Sequence, residues 1–130
     1  MILITGASGQ IGVDLADALV ERHGPGSVLV TDLRMPEKVR PNRLYDVLDV
    51  TYMESVEKII QAHDIKTIFH LAGILSATGE RHPALAWNVN VNGVRNILEA
   101  GRRFGCRVFC PSCIAVFGPT TPKVHTPQET

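Results

Sequence analysis

The first twelve residues constrain the fold of this chain more than any other stretch. An apolar run of strand length, Met1 to Ile4, leads through Thr5 into three glycines with the spacing Gly-x-x-Gly-x-x-Gly. A helical pattern of apolar residues follows at once and predicts a helix from Gln10 to about Arg22. A strand, a glycine turn and a helix N-terminus in this order predict an anion site, because the first helical amides lack partners and the helix dipole favours negative charge there. The inner face of this helix is predicted to carry Ile11, Leu15, Ala18 and Leu19.

Each glycine of the motif has a predicted role in binding a dinucleotide. Gly6 allows a sharp turn, Gly9 lets a pyrophosphate approach the backbone, and Gly12 lets the helix pack close to the strand. The outward amides at the start of the helix, at Gln10 and Ile11, would face the pyrophosphate. The alternative is an ordinary strand, turn and helix with incidental glycines, but the context of the motif favours the dinucleotide.

Asp32 is the second part of the predicted dinucleotide site. It follows a second apolar strand, Ser27 to Thr31, and lies twenty residues after Gly12. A carboxylate there can accept hydrogen bonds from the ribose hydroxyls and would repel a 2′-phosphate, so NAD is favoured over NADP. Arg34 lies nearby and would favour NADP only if it overcame Asp32. The alternative role of Asp32 is that of a turn or cap residue.

Strands and helices alternate along the rest of the chain. Three further strands are predicted at 44–48, 67–71 and 107–110. The capping box Thr51-x-x-Glu54 marks the start of one helix, and Pro83 marks the start of a longer one that reaches about Phe104. This alternation predicts an α/β fold, a doubly wound parallel sheet of the Rossmann type with the strand order 3-2-1-4-5, in one domain of residues 1–130.

The same pattern predicts which side chains are buried. The connection from Leu33 to Arg43 contains two prolines and is expected to be exposed, with its four basic side chains solvated. The helix after Thr51 is predicted to bury Tyr52, Val56, Ile59 and Ile60. The helix after Pro83 is predicted to turn Ala86, Asn90, Val94, Ile97 and Leu98 inward.

The loops after strands one, four and five are expected to meet at the switch point of the sheet, where ligands bind. Leu71, Ala72 and Gly73 follow strand four, and small residues there allow a cofactor to approach closely. Asn90 would face these strand ends and could hold them or position a cofactor or a water. In the loop after strand three, Asp49 and Val50 would lie beside the adenine, although Asp49 could equally cap a helix. His70 is interpreted as a satisfied core histidine. Ser76 and Thr78 are placed in the loop that follows.

Composition excludes several classes of function. Lysine plus arginine balance aspartate plus glutamate, 13 against 13, so no nucleic-acid or anionic-membrane footprint is expected. No apolar run reaches membrane-span length, and no signal peptide precedes the first strand, which favours a cytoplasmic protein or a mature organellar form. Cys110-Pro-Ser-Cys113 is formally a C-x-x-C, but helical periodicity does not follow it. Thiol redox chemistry, or a metal site completed by His125, is therefore a minor alternative, and no metal is expected.

The motifs together resemble the extended short-chain dehydrogenase/reductase superfamily. The resemblance rests on Thr-Gly-Ala-Ser-Gly-Gln-Ile-Gly (5–12), Asp32, His-Leu-Ala-Gly (70–73) and Asn-Val-Asn-Gly (90–93), and it covers the whole chain. Within that superfamily, the strings at 71–80, 111–119 and 126–130 are similar to the epimerase-like L-threonine 3-dehydrogenases. Sugar-nucleotide epimerases and dehydratases share the fold but usually differ after strand four.

This resemblance implies NAD-dependent oxidation of the L-threonine 3-hydroxyl to 2-amino-3-oxobutanoate. In the family a Tyr-x-x-x-Lys pair supplies the proton chemistry, and a serine or threonine after strand five hydrogen-bonds the substrate oxygen. Ser76 matches a position that contacts the amino acid. Family members dimerise through two helices per subunit, and one of these is the helix after Pro83.

Two departures from the family pattern affect the expected chemistry. The hydroxyl position after strand five aligns with Cys113, whose thiol is a weaker donor. Ser112 is adjacent, but its side chain is expected to point differently. The chain also contains no Tyr-x-x-x-Lys. It is therefore interpreted as the N-terminal, NAD-binding part of a longer enzyme, truncated before the helix that carries this pair, and inactive by itself. The alternatives are a relative of the sugar-nucleotide epimerases and dehydratases, and a non-catalytic NAD-binding module.

Overall fold

The fold is built around a parallel sheet whose central strands are apolar on both faces. The computed structural model describes residues 1–113, 117–122 and 124–126. In that part of the chain five parallel strands pair in the order β3-β2-β1-β4-β5, which confirms the predicted sheet and strand order. The strands are β1 (Ile2–Thr5), β2 (Val28–Asp32), β3 (Leu44–Val47), β4 (Thr67–His70) and β5 (Arg107–Phe109).

Helices cover the two faces of the sheet. One face packs against the first helix, and the other packs against the helices that follow β3 and Pro83. Leu3, Leu29 and Ile68 are buried on the second face, whereas Ile4 and Val28 are buried on the first. The helices are α1 (Gln10–His23), α2 (Met53–Ala62), α3 (Ser76–Arg81), α4 (Pro83–Trp87) and α5 (Val94–Phe104), with a π-helical segment, Asn88–Gly93, between α4 and α5.

Strand register brings the carboxyl ends of the central strands to one level. Thr5 at the end of β1 lies beside Thr31 of β2 and beside His70 of β4. All three side chains are buried, and Thr31 donates a hydrogen bond to the carbonyl of Ile4 at 3.0 Å. The loops that leave β1, β2 and β4 therefore start from adjacent points, as the predicted switch point requires.

The start of α2 differs from the predicted capping box. The N-cap of this helix is Tyr52, and no side chain caps it. Thr51 instead donates both its amide and its hydroxyl to Asp49 Oδ1, at 2.9 and 2.7 Å, which forms a local turn before the helix begins. Tyr52 is consequently 64 % exposed, so the prediction that it lies on the buried face was wrong, while Val56, Ile59 and Ile60 are buried as expected.

The predicted long helix after Pro83 contains an irregular segment. The π-helical turn at Asn88–Gly93 takes an extra residue per turn and changes the angular position of the residues that follow. After it, Ile97, Ala100 and Gly101 are buried, and Leu98 is 51 % exposed, which contradicts the prediction for Leu98. A short helix, α3, also replaces the loop predicted at Ser76 and Thr78.

The first helix also buries a different set of residues from the one predicted. Gly12 and Ala16 are its buried residues, Leu15 and Leu19 are partly buried, and Ala18 is exposed. Ile11 is 70 % exposed, although it lies in the same first turn as the buried Gly12. The prediction of an inward-facing Ile11 and Ala18 was therefore wrong.

Part of the sheet is uncovered on the α1 side. Phe69 of β4 and Phe109 of β5 lie against each other with ring centroids 5.6 Å apart, and Phe109 is 54 % exposed. A wide groove runs past these rings to Leu19 of α1. Separately, none of the helices among the described residues is long and apolar enough to cross a membrane.

Candidate functional site

The glycine turn after β1 packs directly on the loop after β4. Gly6 has a φ of +65°, which strongly favours glycine, and a Cβ at this position would lie 2.6 Å from the backbone of Ala72. The amide of Ala72 also donates to Thr5 Oγ1 at 3.4 Å. Two of the predicted cofactor-binding loops are therefore in contact, and Gly6 is the residue that allows it.

The other two glycines have different surroundings. A Cβ on Gly12 would lie 2.6 Å from Ala7 Cα, so this glycine lets α1 pack closely on the turn that follows β1. A Cβ on Gly9 would meet only the Gly6 carbonyl at 3.5 Å, which is ordinary contact. Gly9 is exposed at the N-cap of α1 and leaves an open approach to the backbone there, as the predicted pyrophosphate position needs.

The N-terminus of α1 is suited to an anion. No side chain caps it, and its first turn carries no acidic residue. The amide of Gly9 bonds to the Gly6 carbonyl, and the amide of Val13 is the first to bond back within the turn, to the Gly9 carbonyl. The first helical amides, including those of Gln10 and Ile11, have no acceptor one turn back and lie at an exposed end of the helix. This arrangement fits a pyrophosphate.

Asp32 joins the glycine turn to the end of β2. Its Oδ2 accepts the amide of Ser8 at 3.0 Å, and its Oδ1 accepts the amide of Leu33 at 2.8 Å. Each carboxylate oxygen can accept a second hydrogen bond, so ribose hydroxyls could still be bound. Asp32 thus has the turn-stabilising role that sequence reasoning kept as an alternative, in a position that also suits the ribose. Sequence reasoning missed Ser8, because a backbone amide gives no signal in a pattern of side chains.

The turn before α2 is held by its own side chains. Asp49 is the acceptor for Thr51, and Val50 is buried in the core. The carbonyls of Val50 and Thr51 both accept Asn96 Nδ2, at 3.0 and 2.9 Å, which ties this turn to α5. Asp49 therefore has a structural role, and a contact of Asp49 or Val50 with adenine stays a prediction. Sequence reasoning missed Asn96, which has no motif around it.

Asn90 holds the loop after β4. Its Oδ1 accepts the amide of Ile74 at 2.7 Å, and its Nδ2 donates to the Ile74 carbonyl at 2.9 Å. The side-chain oxygen also lies within 3.4 Å of where a Cβ on Gly73 would be. Asn90 is exposed in this chain, so the prediction of a buried amide was wrong, although the predicted hold on the loop is present. Leu71 and Ala72 are partly buried, and Gly73 is exposed beside them.

His70 is a buried neutral base next to this loop. It is 2 % exposed, and its Nδ1 lies 2.7 Å from Thr5 Oγ1. Burial lowers the pKa of His70 from 6.5 to about 4, so the imidazole is uncharged at neutral pH. Its Nε2 is buried and has no hydrogen-bond partner among the described residues. The histidine is in the core as predicted, but only one of its two nitrogens is satisfied.

The candidate catalytic residues lie after β5. Ser112 and Cys113 are both exposed in the segment that leaves the carboxyl end of this strand, which is the end where the other loops meet. Residues 114–116, 123 and 127–130 lie outside the described part, and with them parts of the strings at 111–119 and 126–130. Ser76 is the first residue of α3, and its side chain is also outside the described set.

Thiol and metal chemistry receive no support from the described residues. Partial desolvation raises the pKa of the Cys110 thiol, whereas a reactive C-x-x-C needs a lowered pKa. In the described ranges, no group of three or more histidine, cysteine, aspartate or glutamate side chains comes together.

Two basic side chains of the loop from Leu33 to Arg43 form ion pairs that were not predicted. Arg40 and Arg43 both form ion pairs with Asp17 of α1, and the Arg43 side chain is only 6 % exposed. The prediction that all four basic side chains of this loop are solvated was therefore wrong for Arg43. Pairing with a carboxylate is what allows such burial, and the partner is 26 residues away in the sequence.

Comparison with known proteins gives close relatives over almost the whole chain. A curated protein of Staphylococcus epidermidis, described as an uncharacterized epimerase/dehydratase, is 45 % identical over 131 aligned positions, which cover 99 % of this chain and 41 % of the relative. The chain thus spans about two fifths of the length of the proteins that it resembles.

Two solved structures match equally well. A monomeric L-threonine 3-dehydrogenase from a metagenome is 44 % identical with a TM-score of 0.92, over 98 % of this chain and 41 % of the other. The L-threonine dehydrogenase of Clostridium difficile is 43 % identical with a TM-score of 0.92, over 99 % of this chain and 41 % of the other. The model of the NAD dependent epimerase/dehydratase family matches residues 2–130. Together with the parallel sheet and the glycine turn, this match shows that the chain belongs to the NAD-dependent epimerase/dehydratase family.

Proposed function

We propose that the chain is the NAD-binding part of an oxidoreductase similar to L-threonine 3-dehydrogenase. The observation that carries this proposal is the connection of Asp32 to the Ser8 amide beside the uncapped N-terminus of α1. It supports the proposal because a carboxylate able to accept ribose hydroxyls and a helix N-terminus suited to a pyrophosphate lie next to each other in a turn that is already formed. Gly9, which leaves the backbone open there, fits the same ligand.

The residues of this chain would bind and orient the cofactor. The amides of Gln10 and Ile11 would face the pyrophosphate, and Asp32 would bind the adenosine ribose. Asn90 holds the loop at Leu71, Ala72 and Gly73 through Ile74, and this loop would lie against the cofactor. When bound, NAD accepts a hydride from the substrate carbon.

The substrate proposed is L-threonine, oxidised at its 3-hydroxyl to 2-amino-3-oxobutanoate. Support comes from the two similar structures, both of which are L-threonine dehydrogenases. Ser76 would contact the amino acid, and Ser112 and Cys113 are proposed to lie near the reacting hydroxyl. A general base for that hydroxyl is not proposed within this chain, because His70 is buried and the sequence contains no Tyr-x-x-x-Lys. We therefore expect the chain alone to bind NAD without turnover.

A second candidate is an epimerase or dehydratase that acts on a sugar nucleotide. The family description and that of the curated relative favour it, since both name these activities. Turnover assays of the full-length protein with NAD and either L-threonine or UDP-glucose separate the two. Reduction of NAD with threonine alone supports the proposal, and conversion of the sugar nucleotide without response to threonine contradicts it.

The substitution Gly9→Val tests the cofactor site directly. The first atom of a new side chain fits at Gly9, so the chain should fold, but the larger group would occupy the approach to the backbone. We expect NAD binding, measured by calorimetry, to weaken by about 100-fold or more, the equivalent of roughly 2.7 kcal/mol. Circular dichroism should show an unchanged fold. Retained affinity in a folded variant would mean that the glycine turn is not the site.

A matched control is Gly12→Ala, which adds a methyl group against Ala7 with a contact of 2.6 Å. This variant should lose thermal stability, because the backbone must shift to admit it. The pair therefore separates a glycine needed for the ligand from one needed for packing.

We further propose that the complete protein works in the cytoplasm, or in an organelle as a mature form, and that it forms a homodimer through the helix after Pro83. Several large apolar side chains in and after this helix are exposed here: Leu85, Trp87, Val91 and Leu98. One similar structure is described as monomeric, so the oligomeric state needs its own test.

A further inference from the structure

The loop from Leu33 to Arg43 lies beside the proposed ribose site but packs poorly on the rest of the molecule. It leaves Asp32 at the end of β2 and returns to β3, and a cavity of about 130 Å³ remains between it, α1 and these two strands. Each of its large apolar side chains, Leu33, Met35 and Val39, is at least 50 % exposed. Burial of apolar surface therefore contributes little to the position of this loop.

Hydrogen bonds are also sparse in the first part of this loop. Residues 34–39 form no hydrogen bond with any other residue that the structure describes. The hydrogen bonds lie at the end of the loop, where the amide of Arg40 donates to the Tyr45 hydroxyl at 2.7 Å and the Asn42 carbonyl accepts the amide of Gly26 at 2.8 Å. The loop is therefore held mainly at residues 40–43.

Asp17 of α1 is the charged partner of that end of the loop. Its Oδ2 pairs with Arg40, and its Oδ1 pairs with Arg43. The Arg43 side chain is only 6 % exposed, and no other carboxylate of the described residues lies within ion-pair distance of it. The Asp17 carboxylate therefore compensates a charge that would otherwise be buried without a partner. Two ion pairs of the loop thus converge on this one side chain.

The position of Asp17 on α1 connects the loop to the proposed pyrophosphate site. Asp17 follows Gln10, the first residue of α1, by seven positions, which is about 10 Å along the helix axis. The same helix therefore carries the anion-binding N-terminus and the anchor of the loop. A dinucleotide with its pyrophosphate at that N-terminus and its ribose at Asp32 would place its adenosine against the start of the loop.

We propose that Asp17 is a positioning residue of the cofactor site, which holds the loop from Leu33 to Arg43 against α1 in the position that receives the adenosine. The inference rests on the proposed function, because the adenosine reaches this loop only when its ribose lies at Asp32. Asp17 would act through Arg40 and Arg43 and not by touching the ligand. Without its carboxylate, Arg43 would leave its buried position for water, and fewer molecules would have a correctly placed loop.

The test compares ADP with inorganic pyrophosphate by calorimetry on the whole chain, since only ADP carries the adenosine that the loop would meet. For Asp17→Asn, we expect ADP to bind about fivefold more weakly and pyrophosphate to change by less than about twofold, as a fall of the correctly placed loop to about one fifth of the molecules would produce. Asp17→Glu keeps the charge and should keep the affinity. The matched control Asp14→Asn removes an exposed carboxylate of the same helix, which forms no ion pair with a described residue, and should leave both affinities unchanged.

A double variant separates positioning from stability. Asp17→Asn should lower the melting temperature, because it leaves the charge of Arg43 without a partner, and adding Arg43→Met should restore much of the loss by removing that charge. The affinity for ADP should stay low in the double variant, because a methionine does not restore a link between the loop and Asp17. Recovery of the affinity together with the stability would show that Asp17 acts only on the fold, and would overturn the proposal.

The remaining outcomes also decide the proposal. Unchanged binding of ADP to a folded Asp17→Asn variant, or an equal loss for ADP and pyrophosphate, overturns it and leaves the cofactor site standing. A loss in Asp14→Asn as large as that in Asp17→Asn would show a general effect of helix charge and likewise overturns it. If NAD, ADP and pyrophosphate all fail to bind to the wild-type chain, the proposed cofactor site is itself wrong, and the role of Asp17 is wrong with it.

Discussion

Asp32 combines an observed role with a proposed one at the level of a single residue. It accepts the amides of Ser8 and Leu33, which stabilises the turn, and its remaining lone pairs are proposed to accept the ribose hydroxyls. Both roles depend on the carboxylate, so a substitution affects binding and local structure together. Its effect on NAD relative to NADP is more informative than its effect on either cofactor alone.

For Asp32→Ala, we expect NAD binding to weaken more than NADP binding, because only NAD has a 2′-hydroxyl for the carboxylate to accept. The loss for NAD should be about tenfold or more, the equivalent of one or two hydrogen bonds to a charged group. Dissociation constants of both cofactors for the wild type and the variant provide the measurement. Equal losses for the two cofactors would contradict the ribose assignment.

His70 makes the folded chain sensitive to acid. Burial lowers its pKa from 6.5 to about 4, so between these values the unfolded chain binds a proton that the folded chain does not. The stability due to this group is therefore complete above about pH 6.5 and is lost as the pH falls toward 4. The loss should be roughly 3 kcal/mol in total.

The variant His70→Gln tests this dependence. Urea unfolding at pH 7.5, 5.5 and 4.5 should give a smaller decrease in the free energy of unfolding for His70→Gln than for the wild type. The control His23→Gln changes an exposed histidine at the end of α1 and should keep the wild-type slope. If all three proteins lose stability in parallel, the buried imidazole is not the cause.

At the level of elements, the π-helical segment positions Asn90. Asn90 lies inside this segment and hydrogen-bonds the backbone of Ile74, while Ile97 is buried in the regular helix that follows. Gly93 in this segment packs closely on Val50, because a Cβ added to Gly93 would lie 2.9 Å from Val50 Cγ2. One irregular turn thus connects the loop after β4 with the turn before α2.

Asn90→Ala should weaken NAD binding by about fivefold, because it removes the two hydrogen bonds that hold the loop after β4. Each is worth roughly 0.5–1.5 kcal/mol, and only part of this free energy contributes to the affinity for NAD. Asn92→Ala is the matched control in the same segment, where the side-chain amide donates to Asn88 Oδ1. Affinity and melting temperature should be measured for both. A similar loss of affinity in the two variants would mean that the loop does not depend on Asn90.

At the scale of the whole molecule, two of the apolar surfaces that the described residues expose bear on association. One is formed by side chains of the helix after Pro83, with Trp87 65 % exposed, and the other is the sheet groove at Phe109. Apolar patches of this kind favour association with another chain. Substitutions on each surface assign the interface to one of them.

We expect the chain to self-associate through the helix after Pro83, so light scattering at rising concentration should give a mass above 14.2 kDa. Trp87→Glu should return the mass to that of the monomer, because a buried charge without a partner is unfavourable. Val39→Glu, in the exposed loop before β3, should have no effect. Loss of association in Phe109→Glu, with Trp87→Glu unchanged, would assign the interface to the sheet instead.

The local sequence determined the order of strands and helices, the glycine turn and the level at which the loops meet. These features depend on short-range patterns, such as apolar runs of strand length, glycines at fixed spacing and helical periodicity, all of which are visible within about ten to twenty residues. Gly6, Gly9, Gly12 and Asp32 were identified in this way. Their positions in the structure agree with the predicted site, while their contacts with a cofactor stay predictions.

Only the tertiary structure decided which polar groups have partners. The burial of Arg43 depends on its ion pair with Asp17, and the amide of Ser8 has its acceptor in the carboxylate of Asp32. Whether His70 Nε2 has a hydrogen-bond partner depends on the residues that pack around β4. The π-turn at Asn88–Gly93 likewise depends on contacts with Val50 and Ile74. Ile74 and Asn90 are 16 positions apart, and Val50 and Gly93 are 43 positions apart. A local pattern cannot reveal such pairs. A hydrogen bond or ion pair needs two groups within a few ångströms, and the fold alone brings them there.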